Sequence, residues 1–262
     1  PQDTSSAASD VYKRQANQLL ESIKGYQIKY ASDIIPSDEK IHAEIMYNKY
    51  DIFRNLFMYY FLAGLLFFIF IILNIFSENK SIHNFMKYIF IIFRSSIVLL
   101  FIAHTLGLIA RWYISGHAPW GDAYESMIYV AWATMGIGLL FIKKSDLTLA
   151  STSFVTSMIL MIAHWNWMDP SIANLVPVLN SYWLMIHVSV IVGSYGPFAL
   201  SMILGFVSLL LIVFITTSNK EKIKNQLSEL TMINELSVTV GLIMLTIGNF
   251  LGGMWANESW GR

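Results

Sequence analysis

The sequence predicts an all-α fold, a polytopic transmembrane helix bundle with about six membrane-spanning helices. Of its 262 residues, 55% are hydrophobic and only 13% are charged, which is far more apolar than a typical soluble domain. A helix needs roughly 20 mainly apolar residues to cross a hydrocarbon core of about 30 Å. Six segments meet this requirement, approximately residues 55–76, 87–110, 124–142, 147–165, 183–216 and 231–253.

Each of these segments is predicted to be helical, because backbone polar groups in lipid need hydrogen bonds within their own segment. Basic residues concentrate in short cytoplasmic loops, which sets the orientation. Connections 111–123 and 166–182 together contain one basic residue, Arg111, so they are predicted to lie outside, with residues 16–54 and the tail after residue 253. The other connections are predicted to be cytoplasmic and carry Lys80, Lys87, Lys143, Lys144, Lys220, Lys222 and Lys224.

The chain divides into four predicted regions. Residues 1–15 are polar, lack the layout of a signal peptide and are interpreted as a non-native or disordered leader. Residues 16–54 are interpreted as the remnant of an external region, and residues 55–253 as the transmembrane bundle. Residues 254–262 are predicted to begin an external tryptophan-rich loop. The abrupt sequence at both ends predicts a fragment of a longer protein.

Charge and cysteine content exclude several classes of function. The formal net charge is zero, so no overall positive field indicates nucleic-acid binding. The chain has no cysteine, which excludes a disulfide, a thiolate metal site and a cysteine nucleophile within it. Any thiol chemistry therefore has to come from a partner.

The fifth apolar segment is long enough to raise its first residues above the membrane. A continuous helix over residues 183–216 would reach about 51 Å at roughly 1.5 Å per residue, well beyond the core. The lysines that follow this segment place its end at the cytoplasmic face. The excess is therefore predicted at its start, which brings Tyr182, Trp183 and His187 to the outer interface.

Two other histidines are candidates for chemistry. His104 lies inside the second apolar segment, where an ionisable group either faces a functional path or is satisfied by a neighbouring helix. His117 and Trp120 belong to the loop RWYISGHAPWGDAYES, whose aromatic residues are also typical of membrane-interface anchors. Asp122 or Ser126 is predicted to cap the next helix.

The tail GNFLGGMWANESWGR has the composition of a binding surface for a flat macrocycle with a metal at its centre. Such a ligand needs aromatic walls, close backbone approach through glycine, polar groups near its edge and an imidazole for the metal. The pair Gly252–Gly253 is predicted to end the last helix, and His187 at the same face supplies the imidazole. The alternative interpretation is a belt of tryptophan anchors at the membrane interface.

Three strings together resemble a known family. SYWLMIHVSVIVGSYGPFAL, RWYISGHAPWGDAYESMIYVAW and GGMWANESWGR are similar to the system II (Ccs) cytochrome c synthetases, haem-handling membrane proteins with a tryptophan-rich WWD region. The likeness covers most of residues 40–262. The last string resembles the entrance to the tryptophan-rich region, whose continuation is absent from this chain.

The resemblance implies a set of haem-binding residues. It assigns His187 as one axial ligand of the haem iron. It also implies haem contacts from the start of the tryptophan-rich loop, namely Trp255, Asn257, Glu258, Trp260 and Gly261. The family's second external histidine falls outside the chain. Trp120, His104 and His117 are further candidates, and no catalytic residue is assigned.

The implied function is that of a cytochrome c haem-lyase or synthetase in cytochrome c biogenesis. Haem b would be bound on the periplasmic side of the bacterial inner membrane and joined through thioether bonds to the CXXCH thiols of apocytochrome c. The expected partners are apocytochrome c, haem and membrane lipid, with no nucleic acid. The fragment alone is expected to be inactive. One alternative is a haem transporter or chaperone of the same superfamily, and another is a non-catalytic scaffold or respiratory subunit.

Overall fold

The computed structural model describes residues 2–32, 35–76, 80–165, 168–176, 181–216 and 219–261. Within these ranges the chain forms α-helices and no β-strand. The helices are α1 (Gln2–Ala31), α2 (Asp38–Tyr50), α3 (Ile52–Phe76), α4 (Lys80–Ser115), α5 (Ala123–Leu140), α6 (Asp146–His164), α7 (Tyr182–Val213) and α8 (Lys220–Trp260). The predicted all-α fold is confirmed.

The chain divides into two compact units, residues 1–45 and residues 46–262. The first unit contains α1, whose side chains are exposed over residues 11–30, and the start of α2. The second unit contains the end of α2 and all of the predicted transmembrane segments. α1 is one continuous helix across residue 15, the predicted boundary between a non-native or disordered leader and the external region.

Five helical stretches of the described residues are long and apolar enough to cross a membrane. All six predicted apolar segments are helical, but α5 is not among these five stretches, since Glu125, Ser126 and Thr134 lower its mean hydropathy. The five are Asp38–Ile75, Phe85–Ser115, Asp146–His164, Tyr182–Val213 and Lys220–Trp260.

The helices extend beyond the apolar segments at several ends. α4 begins at Lys80 rather than near residue 87, and α8 begins at Lys220 rather than near residue 231. Lys, Glu and Gln are good helix formers, so a helix continues through polar turns that hydropathy leaves out. α7 is one continuous helix of 32 residues, close to the predicted 183–216.

The predicted helix end at Gly252–Gly253 is wrong, because α8 continues through both glycines to Trp260. The helix is instead capped at Gly261, whose φ of 63° lies in the left-handed region that glycine adopts without strain. The start of the predicted loop, residues 254–260, is therefore the last part of a helix.

Close contacts between helix backbones hold the second unit together. A Cβ atom on Gly64 of α3 would lie 2.7 Å from the backbone nitrogen of Phe154 in α6. The Ser153 hydroxyl donates to the Tyr60 carbonyl across the same interface. At a second helix crossing, between α5 and α7, a Cβ atom on Gly196 of α7 would lie 2.8 Å from the backbone nitrogen of Thr134 in α5. Small residues at these crossings are typical of helix packing in membranes.

One end of the second unit gathers the ends of four helices and their connections. Arg111, in the C-terminal part of α4, donates hydrogen bonds there to Glu125 of α5 and to the Pro170 carbonyl after α6, and Asp122 before α5 accepts from the Glu125 amide. The indole of Trp120 bonds to the first turn of α7 at the same end. The C-terminal part of α8 lies beside the start of α7 there, and we call this end of the unit the tryptophan end. The opposite end is held by a two-point ion pair between Arg94 and Asp146, at 2.6 and 2.8 Å.

Candidate functional site

His187 lies on α7 in direct contact with α8. Its Nδ1 atom is 2.7 Å from the carbonyl oxygen of Gly248. A Cβ atom on Gly252 would lie 2.5 Å from Cε1, 2.8 Å from Nδ1 and 3.0 Å from Nε2 of the imidazole. The ring therefore occupies space that exists only because residue 252 has no side chain.

The contact with Gly248 defines the tautomer of the neutral imidazole. A carbonyl oxygen can only accept, so Nδ1 carries the proton and donates it to the Gly248 carbonyl. Nε2 is then the nitrogen with a free lone pair. Metal-binding histidines are oriented in the same way, by a hydrogen bond from the nitrogen that does not bind the metal. In this tautomer Nε2 carries no proton, which is the state in which an imidazole nitrogen can bind a metal.

Two tryptophans, Trp255 and Trp260, lie on α8 between the contact with His187 and the end of the helix. Trp255 comes three residues after Gly252 and is half-buried. Its ring centroid is 5.8 Å from that of Trp260, which is exposed. Asn257 and Glu258 are also exposed, and at about 100° per residue they point away from the helix face that contains Gly248 and Gly252.

Trp120 connects the 116–122 loop to the His187 helix. Its indole N–H donates to the Met185 carbonyl at 3.1 Å, two residues before His187. Its ring also contacts Tyr129 of α5, at a centroid distance of 5.1 Å. Of the further candidates Trp120, His104 and His117, Trp120 is the one with a described hydrogen bond to the start of α7.

His117 is enclosed by protein acceptors. Nδ1 lies 3.1 Å from the Ala118 carbonyl, and Nε2 lies 3.3 Å from the Ala173 carbonyl. The Glu125 carboxylate is 4.0 Å from Nδ1. In this conformation both ring nitrogens lie within hydrogen-bond distance of backbone carbonyls, so His117 joins two connections.

His104 is fully buried between α3, α4 and α5. Its Nε2 atom is 3.1 Å from the Ile128 carbonyl, and the ring of Phe53 packs edge-on at 5.4 Å. Nδ1 has no hydrogen-bond partner among the described residues. This contact is the alternative that the sequence left open, a buried imidazole satisfied by the carbonyl of a neighbouring helix.

The sequence did not identify a buried ion pair at the tryptophan end. Arg111 and Glu125 are 0% and 1% exposed, and Nε of Arg111 donates to Oε1 of Glu125 at 2.8 Å. The two terminal nitrogens of Arg111 donate to the carbonyls of Pro170 and Ser171, at 2.9 and 3.1 Å. The available signal was the spacing Asp-x-x-Glu before an apolar run, which marks a helix start and draws attention to Glu125.

Asp122 caps α5. The sequence predicted that either Asp122 or Ser126 would cap this helix. Its side chain accepts from the Glu125 amide at 2.7 Å, while Oε2 of Glu125 accepts from the Gly121 amide at 2.8 Å. These reciprocal bonds form a capping box extended by one residue. Burial raises the pKa of the Asp122 carboxyl, and the hydrogen bond from Glu125 opposes that shift.

The chain is thus a polytopic helical membrane protein with an oriented imidazole beside a tryptophan-bearing helix end. The sequence family described as cytochrome C assembly protein matches residues 120–262, more than half of the chain. That match begins at Trp120 and includes α5 to α8.

Two relatives extend the comparison. Protein NrfI of Wolinella succinogenes is 42% identical over 246 residues, which cover 94% of this chain and 27% of NrfI. The cytochrome c biogenesis protein CcsA of Prochlorococcus marinus subsp. pastoris is 31% identical over 229 residues, 76% of this chain and 71% of that protein. The chain therefore belongs to the cytochrome c assembly protein family and is of the Ccs type. It spans only about a quarter of the length of NrfI.

Proposed function

We propose that this chain is the haem-handling part of a longer cytochrome c biogenesis protein, and that haem binds at the tryptophan end of α7 and α8. His187 is the proposed axial ligand of the iron. The observation that carries the proposal is the hydrogen bond from Nδ1 to the Gly248 carbonyl, since it leaves Nε2 as the donor to the metal. The imidazole also lies against Gly252, where a side chain would displace it.

The residues around His187 suit a flat, largely apolar ligand. Trp255 and Trp260 provide aromatic surface on α8, and Trp120 provides it from the loop before α5. Asn257, Glu258 and Gly261 are exposed near the end of the helix, and because Asn257 and Glu258 point away from the Gly248–Gly252 face, only the edge of a ligand that extends past this face would reach them. These are the types of contact that orient a haem and leave its edge accessible.

The proposed reaction joins haem to apocytochrome c at the outer face of the bacterial inner membrane. Each thiol of a CXXCH motif adds across one vinyl group, so that a C–S bond forms at one vinyl carbon and the thiol hydrogen ends on the other. No atom is lost and no external oxidant is needed. This chain has no cysteine, so both thiols come from the partner. The task of the protein is to hold the haem edge and the two thiols together.

The relatives support the same proposal. One of them is named a cytochrome c biogenesis protein, and it aligns over 229 residues with this chain. Since the chain spans about a quarter of NrfI, the full activity is assigned to the longer protein and not to these residues alone.

Replacing His187 with Ala in the full-length protein tests the site. We expect the absorption spectrum of copurified haem to change and the haem content to fall by about 10-fold, since one iron ligand is lost. His164→Ala is a matched control, because His164 is an exposed histidine at the C-terminal end of α6. The control should keep the wild-type spectrum.

The same preparations, mixed with a CXXCH peptide and reductant, test bond formation. Thioether formation by the wild-type protein, and its loss in His187→Ala, would support the synthetase activity. Haem binding with no thioether product would restrict the function to haem transfer. A wild-type spectrum in His187→Ala would remove His187 from the site.

A further inference from the structure

Arg111 links the two connections that are predicted to lie outside the membrane to the interior of the bundle. Through Glu125 it holds the 116–122 loop, because the second oxygen of that carboxylate accepts from the Gly121 amide at 2.8 Å. Through the carbonyls of Pro170 and Ser171 it holds the segment that follows α6. One fully buried guanidinium thus fixes two pieces of chain that are about 50 residues apart in sequence.

The two pieces of chain also contact each other directly. A Cβ atom on Gly121 would lie 2.4 Å from Cδ2 of Leu175, so this leucine packs onto the glycine backbone. His117 reaches the Ala173 carbonyl from the same loop. Ser171 is held in its turn by a hydrogen bond from its amide to the Asp169 carboxylate at 2.9 Å. The cluster is therefore a connected network rather than a single ion pair.

The network ends on the helix that carries His187. Trp120 immediately precedes Gly121, and its indole N–H donates to the Met185 carbonyl in α7. Met185 lies two residues before His187. Movement of the 116–122 loop would therefore change the position of the first turn of α7, and with it the imidazole.

We infer that Arg111, acting through Glu125 and Trp120, is a positioning residue for His187. This inference rests on the proposed haem function. The guanidinium of Arg111 pairs its charge with Glu125 and donates N–H groups to Glu125, Pro170 and Ser171. Lysine would keep the charge but not the planar set of donors, so it would leave acceptors unpaired. The network keeps the start of α7 in one place while haem arrives or leaves.

The test compares Arg111→Lys with Arg94→Lys in the full-length protein. Arg94 lies on the same helix and makes a comparable two-point contact with Asp146, but at the opposite end. Hydrogen exchange of the peptides that cover residues 116–122 and 168–176 reports the network without any haem. Haem content and the absorption spectrum report the site.

We expect Arg111→Lys to speed exchange in both peptides, to lower haem content by about 10-fold and to shift the haem spectrum. Arg94→Lys should leave exchange in both peptides and the spectrum unchanged. Trp120→Phe, which removes the indole N–H, should reproduce the spectral change with little effect on residues 168–176.

Three results would overturn the inference, and each is distinguishable from failure of the proposed function. Unchanged exchange in Arg111→Lys would show that the network does not hold the connections. Faster exchange with a wild-type haem spectrum would show that it does not position the site. The same spectral change in Arg94→Lys would indicate general destabilisation. By contrast, a wild-type spectrum in His187→Ala refutes the haem site itself, and the positioning role falls with it.

Discussion

At the scale of single residues, the position of the His187 ring depends on the lack of a side chain at Gly252. The imidazole of His187 lies against Gly252, and the Gly248 carbonyl one helical turn earlier accepts its Nδ1 proton. Gly253 is the neighbouring residue, yet a Cβ atom there would meet no atom of the described residues within 4 Å. Two adjacent glycines in one helix therefore have different roles.

The first residue-scale prediction compares Gly252→Ala with Gly253→Ala in the full-length protein. The new methyl group at position 252 would lie 2.5 Å from Cε1 of His187, so the ring has to move. We expect haem content to fall by about 10-fold, as for loss of an orienting contact. Gly253→Ala should keep wild-type haem content. Haem per protein after purification is the measurement, and equal values for the two variants would contradict the role of Gly252.

Residue roles could be predicted from the sequence only in part. The length of its apolar segment predicted that His187 lies near a membrane interface, and the family resemblance assigned it an axial role that stays a prediction. The buried state of Arg111 was not predictable, since a sequence shows a charge in a short connection but not the carboxylate and carbonyls that enclose it. The tautomer of His187 likewise depends on the register between α7 and α8, which no local pattern contains.

At the scale of helices, glycines set how closely neighbours approach. Gly64 brings α3 against the backbone of α6, whereas a Cβ atom on Gly205 of α7 would have no neighbour within 4 Å in the part of the chain that the structure describes. The apolar segments were predictable because lipid requires long runs of hydrophobic residues. The polar starts of α4 and α8 were missed because hydropathy reports membrane burial and not helix formation. The end of α8 was missed because Gly252 and Gly253 are used for packing, and Gly261 makes the cap.

The element-scale prediction concerns Gly64→Ala and its control Gly205→Ala. A methyl group at position 64 would meet the backbone of Phe154, which cannot move as a side chain can. We expect Gly64→Ala to lower the free energy of unfolding by about 1–3 kcal/mol. Gly205→Ala should raise it by about 0.5–1 kcal/mol, because alanine favours the helix. Thermal unfolding in detergent measures both, and a stable Gly64→Ala protein would refute this close α3–α6 contact.

At the scale of the whole molecule, the two ends of the second unit differ in chemistry. The tryptophan end contains the buried Arg111 network and the aromatic residues of α8. The opposite end contains the Arg94–Asp146 pair, and the exposed lysines Lys143 and Lys144 precede α6 there. Basic residues on one side predict that this side faces the cytoplasm.

The whole-molecule prediction places the ends by labelling single cysteines, which suits a chain without native cysteine. Asn174 and Lys144 are both exposed and lie on opposite sides of α6 in sequence. In intact cells, a membrane-impermeant maleimide should label Asn174→Cys and should label Lys144→Cys only after permeabilisation. The reverse pattern would invert the topology and exclude a periplasmic haem site.

The length of α8 has a mechanical consequence. Its 41 residues extend for roughly 60 Å at about 1.5 Å per residue, so it behaves as a rod that is about twice as long as the hydrocarbon core is thick. Trp260 lies 12 residues beyond Gly248, an arm of about 18 Å by the same rise per residue. If the rod pivots at Gly248, a swing of about 10° carries the terminal indole sideways by about 3 Å, roughly the thickness of an aromatic ring.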